Sequence, residues 1–215
     1  MQVNLVSATP LRNIILAART SHDSRAKSDT PHNNLLGPTD TALLRRLIKL
    51  GHDSVLEHVV YTFDITGISR ALLQELVRHR IASYTVQSTR YTLGKILSEY
   101  TEEEIISNFC VIPQNEHNIF IEELSKIVHA LKLLYMLGLE NDKLKYLLPE
   151  CWKTNVVMTV NARELMHILE LRLSSKALWE FQELARLLLE EVKQVHPQLW
   201  ELIRQERGIG DESNG

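Results

Sequence analysis

Apolar side chains change period several times along this chain, and the changes lay out its elements. Val3 to Val6 reads as a short edge strand. Pro10 then opens a helix that carries Leu11, Ile14, Ile15 and Ala18 on one face. Residues 22–38, HDSRAKSDTPHNNLLGP, are polar, hold Pro and Gly and keep no period, so they read as either a mobile loop or a substrate-gating segment. Helical spacing returns at Leu43, Leu44, Leu47 and Ile48, with Thr39 or Asp40 as the expected N-cap and Gly51 as the stop. The β-branched and aromatic run from His58 to Thr66 predicts a strand. Ser69 is expected to cap a helix through Leu72, Leu73, Leu76 and Val77, which delivers Arg78-His79-Arg80 at its carboxyl end, where cations suit the helix dipole.

Residues 81–92 read as extended or looped, and Thr101 to Glu104 begins a polar connection. A long helix is expected from Asn118 to Leu139, a buried strand from Thr154 to Val160, and a helix through Leu165, Ile168 and Leu169. A last helix carries Leu178, Phe181, Leu184, Ala185, Leu188 and Val192. Helices dominate, and the strands do not alternate with them in βαβ order. The predicted class is α+β. No G-x-G-x-x-G follows a strand, so a Rossmann dinucleotide site is not indicated.

With 215 residues, 44% hydrophobic and 24% charged, the chain reads as one globular domain over 1–215, with 207–215 as a disordered tail. No apolar run approaches the ~20 residues that span a bilayer, and the start lacks a secretory signal. Cys110 and Cys151 have no partner spacing and read as free thiols, which places the chain in the cytoplasm. His52 and His58, with Asp53 and Glu57, invite a metal reading. Their spacing does not share a helix face and no third His or Cys completes a set, so no metal is expected.

The net charge is -3, yet residues 70–90 hold Arg70, Arg78, Arg80 and Arg90 against a single carboxylate, Glu75. In RHRIASYTVQSTR three of those cations, Arg78, Arg80 and Arg90, are interleaved with His79, Ser83, Tyr84, Thr85, Ser88 and Thr89. Guanidinium forks bind phosphate bidentately and hydroxyls complete its oxygen shell, so the expected ligand is a nucleotide or phosphorylated cofactor. A non-enzymatic nucleotide- or RNA-binding module using this patch is the rival reading, with Tyr84 and Tyr91 to stack bases. The acidic balance and the lack of a second basic patch weigh against nucleic acid.

The pattern RHR-x7-S, with Arg at the second position after the Ser, resembles the signature of the flavin-dependent thymidylate synthases, the ThyX family. Gly51-His52-Asp53-Ser54-Val55-Leu56-Glu57-His58 leading to Tyr61-Thr62-Phe63 resembles that family's preceding block. Leu148-Pro149, Thr159 to Leu165 and Leu171-Arg172 resemble its carboxyl-terminal block. Three blocks in order are far more specific than one short motif.

The resemblance implies a helix-rich single domain around a small, mainly antiparallel sheet. It implies reductive methylation of dUMP to dTMP by a homotetramer with shared active sites. FAD would be bound noncovalently, with methylenetetrahydrofolate and NADPH as co-substrates. It assigns Ser54, Arg78, His79, Arg80, Asn161, Arg163 and His167 to the flavin. It assigns Glu75, Arg78, Val86, Gln87, Ser88, Thr89, Arg90, Lys145 and Arg172 to dUMP, with Arg172 as the catalytic residue that polarises the pyrimidine. Some positions depart from the family's usual residues. Glu75 stands where glutamine is usual, Val86 offers only its backbone, and Lys145 keeps a charge without the bidentate fork. His167 and Lys176 replace residues that often face the flavin.

Overall fold

The computed structural model describes residues 1–30, 35–113 and 117–210. In chain order the elements are β1 (Gln2–Ala8), α1 (Arg12–Thr20), α2 (Pro38–Leu50), β2 (Val60–Ser69), α3 (Arg70–Leu76), β3 (Ala82–Val86), α4 (Thr89–Glu99), α5 (Glu102–Phe109) and α6 (His117–Met136). They continue with α7 (Asn141–Leu144), β4 (Lys153–Asn161), α8 (Ala162–Arg172), α9 (Trp179–Val195) and α10 (Pro197–Arg207). The strands form a small antiparallel sheet in the order β1-β2-β4-β3, so the α+β expectation holds and β1 is an edge strand. Contacts divide the chain into two compact units: 1–65 with 76–84 and 157–215, and 66–75 with 85–156.

In the first unit, α9 buries Phe181, Leu184, Ala185, Leu188 and Val192, the helical stripe seen in the sequence. Each such Leu, Val or Phe contributes roughly 1.5–3 kcal/mol on burial. Gly51 ends α2 in the left-handed conformation, at φ 77°. The expected cap of α2 is corrected: Pro38 takes the first turn and Gly37 the N-cap. The carboxylate of Asp29 accepts from the amides of Thr39 (2.7 Å) and Asp40 (3.0 Å), capping α2 from outside, and a Cβ on Gly37 would overlap it.

Asp40 is thereby free for another task. Fully buried, it accepts from Arg19 Nε (2.5 Å), Ser28 Oγ (2.6 Å), Thr30 Oγ1 (2.6 Å) and the amides of Asp29 and Thr30. Burial alone would push its carboxyl up, but the hydrogen bonds from Ser28, Thr30 and Arg19 together hold it below its ordinary value. The segment expected to be a loop thus contains a turn of 3-10 helix (Arg25–Lys27) and these contacts, while residues 31–34 lie outside the described residues.

A helix that the hydrophobic reading does not separate, α10, follows α9 with Pro197 at its start and Gly208 as its cap. Arg207 donates to the carbonyl of Ile48 (3.0 Å) and to Asp53 (2.9 Å), and Ile209 is buried. The expected tail therefore begins as structure, and residues 211–215 lie outside the described residues.

Where α9 meets α10, the Trp200 indole donates to the Tyr61 hydroxyl (3.1 Å), which leaves that hydroxyl to donate to His196 Nδ1 (2.9 Å). His196 is fully buried, and its Nε2 has no hydrogen-bond partner among the described residues. Burial pushes its pKa down to about 4. An unfolded chain protonates this imidazole below about 6.5 and the folded one only below about 4, so stability falls as the pH drops through that window. The loss amounts to about 3 kcal/mol over the window. Urea unfolding from pH 7 to 4 should show a visibly flatter acid limb in His196→Phe. An unchanged limb would remove His196 as the source.

The second unit packs Leu93, Leu97, Ile105, Val128, Leu131, Leu144 and Trp152 into one cluster from α4, α5, α6, α7 and the approach to β4. The polar connection expected at Thr101 is a helix start. Thr101 and Glu104 form a capping box for α5, with Glu104 N to Thr101 Oγ1 at 3.2 Å and Thr101 N to Glu104 Oε2 at 2.8 Å. Cys110 and Cys151, unrelated by spacing, are brought together. The Cys110 thiol donates to Cys151, which drives Cys110 up and Cys151 down.

β2 begins later than its sequence signal, because Asp53–His58 winds into a 3-10 helix, and it runs on to Ser69. Its buried positions run Tyr61, Phe63, Ile65 and then Ile68. The slip occurs at Gly67, whose φ of 74° only glycine adopts freely and whose amide donates to Asn155 Oδ1 (3.0 Å).

Candidate functional site

The sequence-predicted residues sort cleanly between the units. Ser54, Arg78, His79, Arg80, Asn161, Arg163, His167 and Arg172 belong to the first, and Glu75, Val86, Gln87, Ser88, Thr89, Arg90 and Lys145 to the second.

In the first unit, α3 stops at Leu76 and the chain turns through Arg78-His79-Arg80 into β3. Tyr84 Oη anchors the turn by reaching the carbonyls of His79 (2.8 Å) and Leu76 (3.1 Å). Burial, with the Glu164 carboxylate nearby, pushes the Tyr84 phenol up to about 12, so it stays a donor. Arg78 and Arg80 are exposed, but His79 between them points inward and is 6% exposed. The triplet is thus two exposed cations around a buried imidazole.

The surroundings of His79 fix its state. Arg172 Nε donates to His79 Nε2 (3.3 Å), and Glu164 Oε1 lies 3.3 Å from His79 Nδ1. Nε2 must accept, so the proton sits on Nδ1 and faces the carboxylate. Burial and then the Arg172 cation push the imidazole pKa down, against the opposing pull of Glu164. His79 is neutral at pH 7. The ring of Phe181 lies edge-on to His79 at 5.9 Å and under the Arg172 guanidinium at 4.5 Å, so Arg172 is held from two sides. His167, exposed, sits 6.0 Å from His79 ring to ring.

Asn161 Oδ1 accepts from Glu164 N (2.9 Å) and caps α8, which orients the turn carrying Glu164 and Arg163. Exposed Arg163 approaches Glu57 at 3.5 Å, and Ser54 is exposed on the preceding 3-10 turn. Among the described residues no three His, Cys, Asp or Glu side chains gather as a metal site.

The reading of 81–92 as extended or looped holds for Ala82–Val86, which form β3, and is corrected from Thr89 onward, where the chain is helical. Ser88 is the N-cap of α4, and Thr89 and Arg90 form its first turn. The Ser88 side chain makes no capping hydrogen bond, so the amides of the first turn and the helix dipole attract an anion there. Arg90 forms a bidentate pair with Asp142, and Asn141 Nδ2 donates to the Arg90 carbonyl (2.8 Å). Val86 ends β3, and the Gln87 amide donates to the Asn155 carbonyl (2.9 Å). Lys145 is exposed at the start of a 3-10 turn.

Sequence reasoning does not single out Phe181, Glu164 and Asp142, although all three hold predicted residues. Glu164 stands inside the third motif block and could have been found there. Phe181 reads only as helix core, and nothing in the spacing ties Asp142 to Arg90.

The profile of the family described as "Thymidylate synthase complementing protein" matches residues 4–198. The flavin-dependent thymidylate synthase of Wolinella succinogenes is 42% identical over 205 residues, 93% of this chain and 97% of that protein. This chain belongs to the flavin-dependent thymidylate synthases. The family member from Campylobacter jejuni is 39% identical over 207 residues, covering 94% of this chain and 96% of that protein. Among solved structures, thymidylate synthase X from Helicobacter pylori with FAD and dUMP superposes with a TM-score of 0.84 at 36% identity, over 94% of this chain and 98% of that one. The three motif blocks of this thymidylate synthase all fall within the matched segment.

Proposed function

We propose that the protein makes dTMP by flavin-dependent reductive methylation of dUMP, with methylenetetrahydrofolate as carbon donor and NADPH as reductant. The observation that carries this reading is the likeness, across nearly the whole chain, to a thymidylate synthase solved with FAD and dUMP. The donor set fits a bound flavin dinucleotide: exposed guanidiniums at Arg78, Arg80 and Arg163, a hydroxyl at Ser54 and an exposed ring at His167. FAD, held noncovalently, supplies the hydride transfer that no side chain can.

The chain's own residues then bind, orient and polarise. Arg78, Arg80 and Ser54 hold the dinucleotide, Arg78 also reaching the nucleotide substrate. The uncapped first turn of α4, with Ser88 and Thr89, receives the dUMP phosphate, and Arg90 joins it by exchanging Asp142 for phosphate. Gln87, the Val86 backbone, Glu75 and the point charge of Lys145 complete the nucleotide contacts. Arg172 stabilises the negative charge that develops on the pyrimidine as C5 becomes nucleophilic; it stays charged and moves no proton. His79 is a positioning residue: neutral and bonded to Glu164, it aims the Arg172 fork.

A homotetramer with shared active sites belongs to this proposal. It is supported by Ile119, Leu133, Met136 and Leu137, left exposed along and just beyond α6. A cytoplasmic setting is also proposed; among the described residues no helix is long and apolar enough to cross a membrane.

The purified protein should be yellow and convert dUMP to dTMP with both co-substrates. A colourless protein that binds RNA instead would return the basic patch to its rival reading. Arg80→Ala should weaken FAD binding by roughly 1.5–3 kcal/mol, the worth of a charged hydrogen bond. Full flavin content in that variant at low FAD concentration would take Arg80 off the cofactor.

A further inference from the structure

We infer that a trough along α1 seats an extended co-substrate, and that Arg12 and Arg25 receive its anionic end. The identity of that ligand rests on the thymidylate synthase reading; its location rests on geometry alone. Three depressions of about 210, 500 and 350 Å³ lie side by side in the first unit. The first two share Leu16 and Arg25, and the second and third share Ala17, Ser21 and His58, so they form one channel. From Arg12 to Ser21 it follows α1 for about 13 Å, at 1.5 Å per residue. It then passes His58 to reach His52 and Ser54, the position proposed for the flavin.

The two ends differ in chemistry. Arg12 has no ion-pair or hydrogen-bond partner among the described residues, and Arg25 donates only to Thr20 Oγ1 (3.2 Å). Arg19, which also lines this end, is neutralised by Asp40. Among the described residues no Asp or Glu lines the first two depressions, so two uncompensated guanidiniums face an open cleft. In the middle most polar groups are already engaged: Asn13 Nδ2 donates to the His58 carbonyl (3.4 Å), and the exposed His58 ring also lines the cleft. The hydroxyls there are spent on the helix backbone, Thr20 on the carbonyl of Leu16 (2.5 Å) and Ser21 on that of Ala18 (2.8 Å). Between them Leu16 and Ala17 present an apolar floor.

Such a channel fits a long molecule with an apolar or aromatic body and a terminal carboxylate or phosphate. Both proposed co-substrates have the required form, through the glutamyl carboxylates of the folate or the 2′-phosphate of NADPH.

The test uses the full-length, FAD-loaded protein and two double variants, R12A/R25A and R12E/R25E. Both arginines are exposed, so melting temperature and flavin content should match the wild type. Calorimetry would measure binding of tetrahydrofolate as its mono- and triglutamate and of 6-methyltetrahydropterin, which lacks the anionic tail. Flavin reduction would give the KM for NADPH and NADH. Removing two exposed ion pairs should weaken the anion-ended ligand on the order of ten-fold, and charge reversal more. The difference should shrink in high salt. A loss confined to glutamylated folates assigns the carboxylates, and a loss confined to NADPH assigns the phosphate. Unchanged values for all ligands would overturn the trough, as would equal losses for 6-methyltetrahydropterin and NADH. A shift in sedimentation with binding intact would overturn it too, giving the face to a second copy. Wild-type dTMP formation, followed separately, tests the functional reading, and the calorimetric arm decides the trough whichever way that falls.

Discussion

Arg172→Ala should keep its FAD and its reduction by NADPH while dTMP formation falls about 10²–10³-fold, the usual cost of losing one preorganised donor to a developing charge. The structure explains why the loss should fall on turnover. Arg172 is held by His79 Nε2 and the Phe181 face before any ligand arrives, so its orientation costs nothing at the moment of reaction. An interaction that strengthens in the transition state shows in kcat more than in KM. Arg172→Lys keeps the charge but loses the Nε–H that meets His79, so rescue should be partial. Single-turnover measurement of dTMP against flavin oxidation makes the comparison. Near-normal dTMP formation by the alanine variant would move the polarising role to Arg78 or Arg90.

The second large effect concerns stability. Asp40→Ala should destabilise the fold by about 3–5 kcal/mol, because it leaves the buried Arg19 charge without its counter-ion. Asp40 and Arg19 are 0% and 4% exposed, and Ser28 and Thr30 lose their acceptor in the same step. For a chain of this size each kcal/mol shifts Tm by roughly 2–4 °C, so a fall of about 10 °C is expected by calorimetry. Replacing both partners with apolar residues, Arg19→Met with Asp40→Leu, should cost less than Asp40→Ala alone. A single variant that melts with the wild type would show that this pair does not hold α1 to α2.

Much of the framework is legible in the chain. The apolar stripe of α9, the alternation of β4 and the Gly51 stop are set within a turn or two of backbone, where propensity and period act. The three motif blocks likewise fix which chemistry is available: guanidiniums, hydroxyls and few acids. Partner choice is another matter, because it is made between residues far apart in sequence. Asp40 reads as an N-cap on local grounds and becomes a buried acceptor for Arg19, 21 residues away, once Asp29 takes over the capping. Arg90 meets Asp142 across 52 residues. Arg172 meets His79 across 93, and burial together with that contact makes the imidazole between the two arginines a neutral support. Burial and its desolvation cost exist only in the folded chain, so the sequence named the charged groups of this thymidylate synthase while the tertiary structure decided which of them remain charged, which are paired and which face a ligand.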